Sequence, residues 1–219
     1  MIDHALAGKA PRRIALTLFL LLSSPYPSRP ADAQTAQEAV AVVEDYYRGV
    51  NEFTAKVTQT TRLKAIGKTQ QFEGTLSVKK PGRLRLDYTN GQIILVDGKT
   101  VLFYSKKSGQ QVRKTFEDVQ QMNVPLAFLL GAAHVRDDFN VLQPDPATPR
   151  SLELLPKRPG AAMKKMDMRT DDAGRVLGLT IFDKSGNTTE IALSDVHEGG
   201  VDDRLFLFKP PKGTEIIEQ

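Results

Sequence analysis

Cysteine is absent from the 219 residues, which removes disulfides, thiol nucleophiles, thiolate metal sites and a lipid-modified N-terminal Cys together. The core must therefore hold by packing alone. Histidine is scarce: His4 lies in an N-terminal leader, and His134 and His197 stand far apart without ligand-like spacing, so no metal site is expected. Although the net charge is +4, basic residues are interspersed with acidic ones along most of the chain. That pattern lacks the concentrated basic face or stacking aromatics that nucleic-acid binding requires. The chain also lacks a nucleophile set beside a base. Asp137-Asp138, Asp171-Asp172 and Asp202-Asp203 are adjacent acids, but neighbours on a strand point to opposite faces and adjacent loop acids are solvated, so paired acid-base catalysis is not expected. Gly98-Lys99-Thr100 imitates the end of a phosphate-binding loop, yet Ile93 occupies the place five residues earlier that must be glycine. These absences argue against an enzyme and against any cofactor.

What is present starts with the leader. Lys9, Arg12 and Arg13 run into the apolar stretch Ile14 to Leu22 and then into Ala31-Asp32-Ala33, the layout of a secretory signal peptide. The stretch is far shorter than the roughly 20 residues that span a bilayer, so cleavage after Ala33 is expected, leaving 34–219 as a single exported domain in the periplasm. Arg12-Arg13 admits a twin-arginine route; the flanking residues favour the general secretory route. Half the net charge leaves with residues 1–33.

Thr35-Ala36-Gln37-Glu38 is a capping box and predicts a helix start. Ala36, Val40, Val43, Tyr47 and Val50 follow at spacings of four, three, four and three, one apolar stripe. After Asn51 the period becomes two: Phe53, Ala55, Val57 and Gln59 share a face. Phe72, Gly74, Leu76 and Val78 precede the Pro81-Gly82 turn, and Leu84, Leu86 and Tyr88 follow it, which reads as a hairpin. Asn90-Gly91 and Asp97-Gly98 are further tight turns, flanking Ile93 to Val96 and Val101 to Tyr104, where every residue is apolar and neither face is marked. Asn123 to Gly131 has a cap-like Asn, an early Pro and a closing Gly around an apolar run, a short helix. Strand patterns resume at Phe139 to Leu142, Leu152 to Leu155, Lys165 to Arg169, Val176 to Phe182 and Thr188 to Leu193. The sum is about ten strands, an N-terminal helix and one or two mid-chain helices: an α+β, mainly β domain with helices over one side of an antiparallel sheet. No linker or repeat divides it.

In this order, "FTAKVTQ" (53 to 59), "GTLSVKKPGRLRLDY" (74 to 88), "ILVDGKTVLFY" (94 to 104), "NVPLAFLL" (123 to 130) and "LFLFKPPKGTEII" (205 to 217) resemble the periplasmic outer-membrane lipoprotein carrier proteins, LolA. Between Gly131 and Gly200 the likeness lies mainly in strand spacing. The resemblance implies an open, strongly curved antiparallel half-barrel whose concave apolar face is closed by helices acting as a lid. It further implies a non-enzymatic monomer that takes acylated lipoproteins from an inner-membrane ABC-type exporter and passes them to an outer-membrane acceptor. On that reading, strand parity lines the acyl-chain cavity with Phe53, Val57, Phe72, Leu76, Val78, Leu84, Leu86 and Tyr88, and the lid carries Leu126, Phe128, Leu129 and Leu130. In the family's "VKRP" turn the residue before Pro is an Arg that latches the lid; Val78-Lys79-Lys80-Pro81 offers Lys80, which lacks Arg's bidentate donors, so Lys80, Arg83 and Arg85 are all latch candidates. Two other readings fit the same pattern: an envelope sensor that binds lipoproteins, and a carrier of free lipid or glycolipid.

Overall fold

The computed structural model describes residues 35–115, 129–130, 135–143, 148, 150–158 and 162–218. Helix α1 (Ala36–Gly49) starts where the capping box places it: the Thr35 amide donates to Glu38 Oε2 at 2.9 Å, and the Glu38 amide donates to Thr35 Oγ1 at 3.2 Å. Its stripe is buried at Ala39, Val40, Val43 and Tyr47.

The strands are β1 (Glu52–Leu63), β2 (Lys68–Lys79), β3 (Arg83–Tyr88), β4 (Gln92–Asp97), β5 (Thr100–Ser105), β6 (Gln110–Thr115), β7 (Phe139–Leu142), β8 (Ser151–Pro156), β9 (Met163–Thr170), β10 (Val176–Asp183), β11 (Thr188–Glu198) and β12 (Glu215–Glu218), with the short helix α2 (Val135–Asp138) before β7. They form one open sheet in the order β12-β6-β5-β4-β3-β2-β1-β11-β10-β9-β8-β7. Ten of the twelve follow the sequence patterns. The other two correct that reading: β6, Gln-Gln-Val-Arg-Lys-Thr, carries one apolar side chain and so gives no alternation, and β12 joins it in parallel, not antiparallel, register, with Ile217 opposite Val112.

The sheet curves around a single cluster of buried side chains drawn from α1, β1 to β5, β7 to β11, Leu129, Leu130 and Val135. One source of the bend is an irregularity in the β1–β11 pairing between Thr54 and Lys56, where Asp195 takes φ 47° and its carboxylate meets Lys56 Nζ at 2.6 Å. An extra residue on one strand bends it and raises the local twist. Glycine is required in two places: a Cβ at Gly74 would lie 2.4 Å from the Asp87 carbonyl oxygen, and one at Gly174 (φ 89°) would lie 2.5 Å from the Val42 carbonyl oxygen. The second is what lets the β9–β10 turn press against α1.

The unmarked strands β4 and β5 turn out to be buried on both faces, which is why their apolar residues do not alternate. Ile94, Val96, Val101 and Phe103 face the main cluster. Leu95, Leu102 and Tyr104 pack on the opposite face against Val201 and Phe206, with Ile93 and Phe208 alongside. The segment Val201 to Phe208 is thus a strap across the convex side. Lys79 Nζ meets Glu52 at 3.1 Å, Asp203 at 2.9 Å and the Val201 carbonyl at 2.9 Å. Arg83 donates to Asp203 at 2.9 Å and stacks over Phe206, and Arg85 donates to the Leu205 carbonyl at 2.8 Å.

Candidate functional site

On the concave face the odd-numbered residues of β1 descend from apolar to polar: Phe53, Ala55 and Val57 are buried, while Gln59 and Thr61 are half-buried. The antiparallel neighbours repeat the gradient. Leu193 and Ile191 of β11 lie opposite Val57 and Gln59, and Thr189 opposite Thr61. On the other side Val78 pairs Phe53, Gly74 pairs Val57 and Phe72 pairs Gln59. Along β1, β2 and β11 one end of the face is therefore apolar, and the far end mixes Phe72 with the amide of Gln59 and the hydroxyls of Thr61 and Thr189.

The apolar end is closed by α1. Tyr47 packs its ring 6.2 Å from that of Phe53, and its hydroxyl accepts from the Val176 amide at 3.3 Å. Burial pushes the Tyr47 hydroxyl up to about 12, so it stays neutral. Glu44, almost fully buried on α1, receives the Arg136 backbone amide at 3.3 Å and Nε at 2.9 Å, with a further bond from Nη2. This ties α1 to α2. Lys80 Nζ donates to the Tyr47 carbonyl, one of the orphan acceptors at a helix C-terminus, and burial lowers the Lys80 pKa.

Beyond α1 the face is hollow. A cavity of about 160 Å³ is lined by Val57, Leu76, Leu86, Ile94, Leu129, Leu179, Ile191 and Leu193, with Gln59 and Tyr88 at its edge. An open cleft of about 360 Å³ continues from it and shares Gln59, Tyr88 and Ile94; Phe72, Gln92, Phe103 and Gln110 are among its further walls. Where the two meet, the Tyr88 hydroxyl donates to Gln59 Oε1 at 2.6 Å, and the Phe72 ring stands 5.7 Å from that of Tyr88, edge to face. Gln59 Nε2 in turn donates to Thr61 Oγ1 at 3.3 Å. Burial pushes the Tyr88 phenol up to about 12.

The residues singled out from sequence distribute unevenly over this geometry. Val57, Leu76, Leu86 and Tyr88 line the cavity, and Phe72 and Tyr88 line the cleft. Phe53, Val78 and Leu84 sit on the same face but are buried in the cluster that α1 joins and border neither space. Leu129 lines the cavity and Leu130 is buried in the cluster, whereas Leu126 and Phe128 lie outside the described residues. Lys80 reaches α1, but Arg83 and Arg85 serve the convex strap instead. Sequence parity did not select Ile94, Leu179, Ile191 or Leu193. The signal for the last two was there, in the alternation of Thr189, Ile191 and Leu193; Ile94 is hidden in a strand apolar on both sides. Among the described residues no cluster of three His, Asp or Glu could hold a metal ion, and no helix is long and apolar enough to cross a membrane.

Residues 48–209 match the family model described as outer membrane lipoprotein carrier protein LolA. The chain is 29% identical over 192 residues to the outer-membrane lipoprotein carrier protein of Actinobacillus pleuropneumoniae serotype 3 (strain JL03), covering 86% of each chain. It is 28% identical over 213 residues to that of Bordetella pertussis (strain Tohama I), covering 94% of this chain and 98% of the relative. Among solved structures, an uncharacterized conserved protein from Thermus thermophilus superposes with a TM-score of 0.52 at 14% identity, covering 84% of this chain and 99% of that one. That last likeness is one of fold.

Proposed function

The chain belongs to the outer membrane lipoprotein carrier family LolA, and from that premise we propose that it is a non-enzymatic periplasmic carrier which shields the acyl chains of lipoproteins in its concave hollow. It would receive them from an inner-membrane ABC-type exporter and release them to an outer-membrane acceptor. The observation that carries the reading is the unfilled apolar space between the sheet and Leu129.

Magnitudes favour a cavity that can enlarge. At about 0.8 kcal/mol per buried methylene, a sixteen-carbon chain is held in a bilayer by roughly 12 kcal/mol, and a water-soluble carrier must offset most of it. An apolar cavity of about 150 Å³ accommodates a benzene-sized ligand, so the 160 Å³ space takes only part of one such chain. The remainder would run into the cleft, or displace Leu129 outward. Lys80 would govern that movement through α1, whose Tyr47 carbonyl it binds.

The test is extraction. The purified protein is mixed with vesicles bearing an acylated lipoprotein, and the soluble fraction is analysed by mass spectrometry for a one-to-one complex. Recovery of that complex is expected, with no lipid ester hydrolysed; a protein that leaves the lipoprotein in the vesicles, or turns over the ester, sinks the carrier reading.

A further inference from the structure

The cleft differs from the cavity in kind. It is built of aromatic faces and neutral amides and hydroxyls: Gln59, Tyr88, Gln92, Ser105, Ser108 and Gln110 supply the polar groups. Among the described residues no charged side chain lines it. The one ion hydrogen-bonded to its lining among those residues is an anion, Glu215, which accepts from Gln110 Nε2 at 2.8 Å. Of the cations on this half of the sheet, Arg83 and Arg85 are committed to the convex strap and Arg113 to Glu218, while Lys106 and Lys107 lie exposed in the turn between Ser105 and Ser108, at the outer rim of the cleft.

Resting on the carrier reading above, we propose that the Gln59–Tyr88 pair at the junction of cleft and cavity is the binding site for the uncharged ester or amide group that ends an acyl chain, and that the cleft thereby rejects phosphate-bearing lipids. An acyl chain that runs from the cavity into the cleft passes this junction, because Gln59, Tyr88 and Ile94 border both spaces. There the Tyr88 hydroxyl holds the Gln59 side chain through Oε1, and Gln59 Nε2 keeps one N–H beyond its bond to Thr61 Oγ1, a donor matched to a carbonyl oxygen. A phosphodiester drawn to the Gln59–Tyr88 junction, inside that rim, sheds hydration and meets no cation among the described lining residues, and burying an unpaired anion is far costlier than burying a hydrogen-bonded carbonyl. The membranes that a lipoprotein carrier visits are made of phosphate-bearing lipids with the same chains, so selection by chain alone would leave the carrier filled with them.

The test is displacement of 1-N-phenylnaphthylamine, an uncharged apolar fluorophore, from the purified protein. Dioctanoylglycerol and phosphatidylglycerol with the same two chains serve as competitors. The expected result is fluorophore binding, with dioctanoylglycerol displacing at a midpoint at least about tenfold lower. Equal midpoints overturn the selectivity while leaving the carrier reading intact; no fluorophore binding, or no displacement by either lipid, overturns the carrier reading itself. Gln59→Lys, which supplies a cation at the junction, should narrow the ratio by at least about threefold through tighter phosphatidylglycerol binding. Tyr88→Phe should weaken dioctanoylglycerol about fivefold with fluorophore affinity unchanged. A ratio unmoved by both substitutions, in variants that melt cooperatively, refutes the assignment.

Discussion

The two ends of the concave face share one inward–outward alternation, yet one is apolar and solid while the other, where amides and hydroxyls enter the row, is hollow. At the first, Val40, Val43, Val78, Leu84 and Phe53 are 0% to 3% exposed. At the second, Phe72, Tyr88, Ile94 and Ile191 are only half-buried around open space. One difference is helix α1, which sets Tyr47 against Phe53 at the first end. An α-helix is about 10 Å wide, enough to cover roughly three residues of a strand rising about 3.3 Å each. The inward residues of β1 run from Phe53 to Thr61, so α1 closes the beginning of that row and leaves the rest. Alternation shows which way a side chain points; whether it meets a partner depends on an element elsewhere in the chain.

The comparison breaks most visibly through truncation. Leu84→Ala, at a position fully buried in the main cluster, should cost about 2–5 kcal/mol, since a packed core cannot collapse onto the gap. Ile191→Ala, at the hollow end, should cost about 1 kcal/mol or less, but should loosen an apolar probe. Urea unfolding measures both. Equal losses would mean that the hollow is packed in solution.

Next in size is the tie between the two ends. Lys80→Leu removes a hydrogen bond to the Tyr47 carbonyl at the end of α1, worth about 1 kcal/mol, and the expected consequence is impaired release of lipoprotein to acceptor membranes. Transfer measured from a preloaded complex decides it: unchanged transfer would leave Lys80 as a helix cap and nothing more.

Filling the hollow is the converse experiment. Ile191→Trp should leave the melting temperature unchanged or raised while weakening an apolar fluorophore about tenfold, because the indole occupies the space that the probe needs. The same probe titration that detects the cavity reads the result. Undiminished binding would place the probe elsewhere.

How far the sequence carried this picture follows from the same contrast. The capping box at Thr35, the Pro81-Gly82, Asn90-Gly91 and Asp97-Gly98 turns and the period-two rows specify local geometry, and they were legible because backbone chemistry decides them. Strand β6 was not: Gln111, fully buried, sits where alternation calls for an apolar side chain. The parallel partner β12 depends on a strap that crosses the convex side first, a long-range event with no local mark. For the candidate site, four of the eight parity residues border the cavity; Phe53, Val78 and Leu84 follow the same alternation and differ in being packed into the cluster that α1 joins.

The smallest effect separates the hollow from the convex strap. Glu52 and Asp203 have carboxyls held below their ordinary values of 4.5 and 3.8, first of all by hydrogen bonds from Lys79. On acidification the unfolded chain takes up these protons before the folded one, so the stabilisation is complete above the ordinary values and is lost as pH falls through the depressed folded ones. Asp203 is exposed and Glu52 only half-buried, so salt screens both, and the loss should be slight: a shallow decline in urea midpoint below about pH 4.5, flattened in Lys79→Met. Probe affinity should stay level through the same range, since among the described residues the cavity lining holds no group that titrates there and the Tyr88 phenol is pushed far above it. A probe affinity that falls in step with the urea midpoint would show that strap and hollow open together, and the distinction between a sealed outer face and an independently vacant inner one would have to be abandoned.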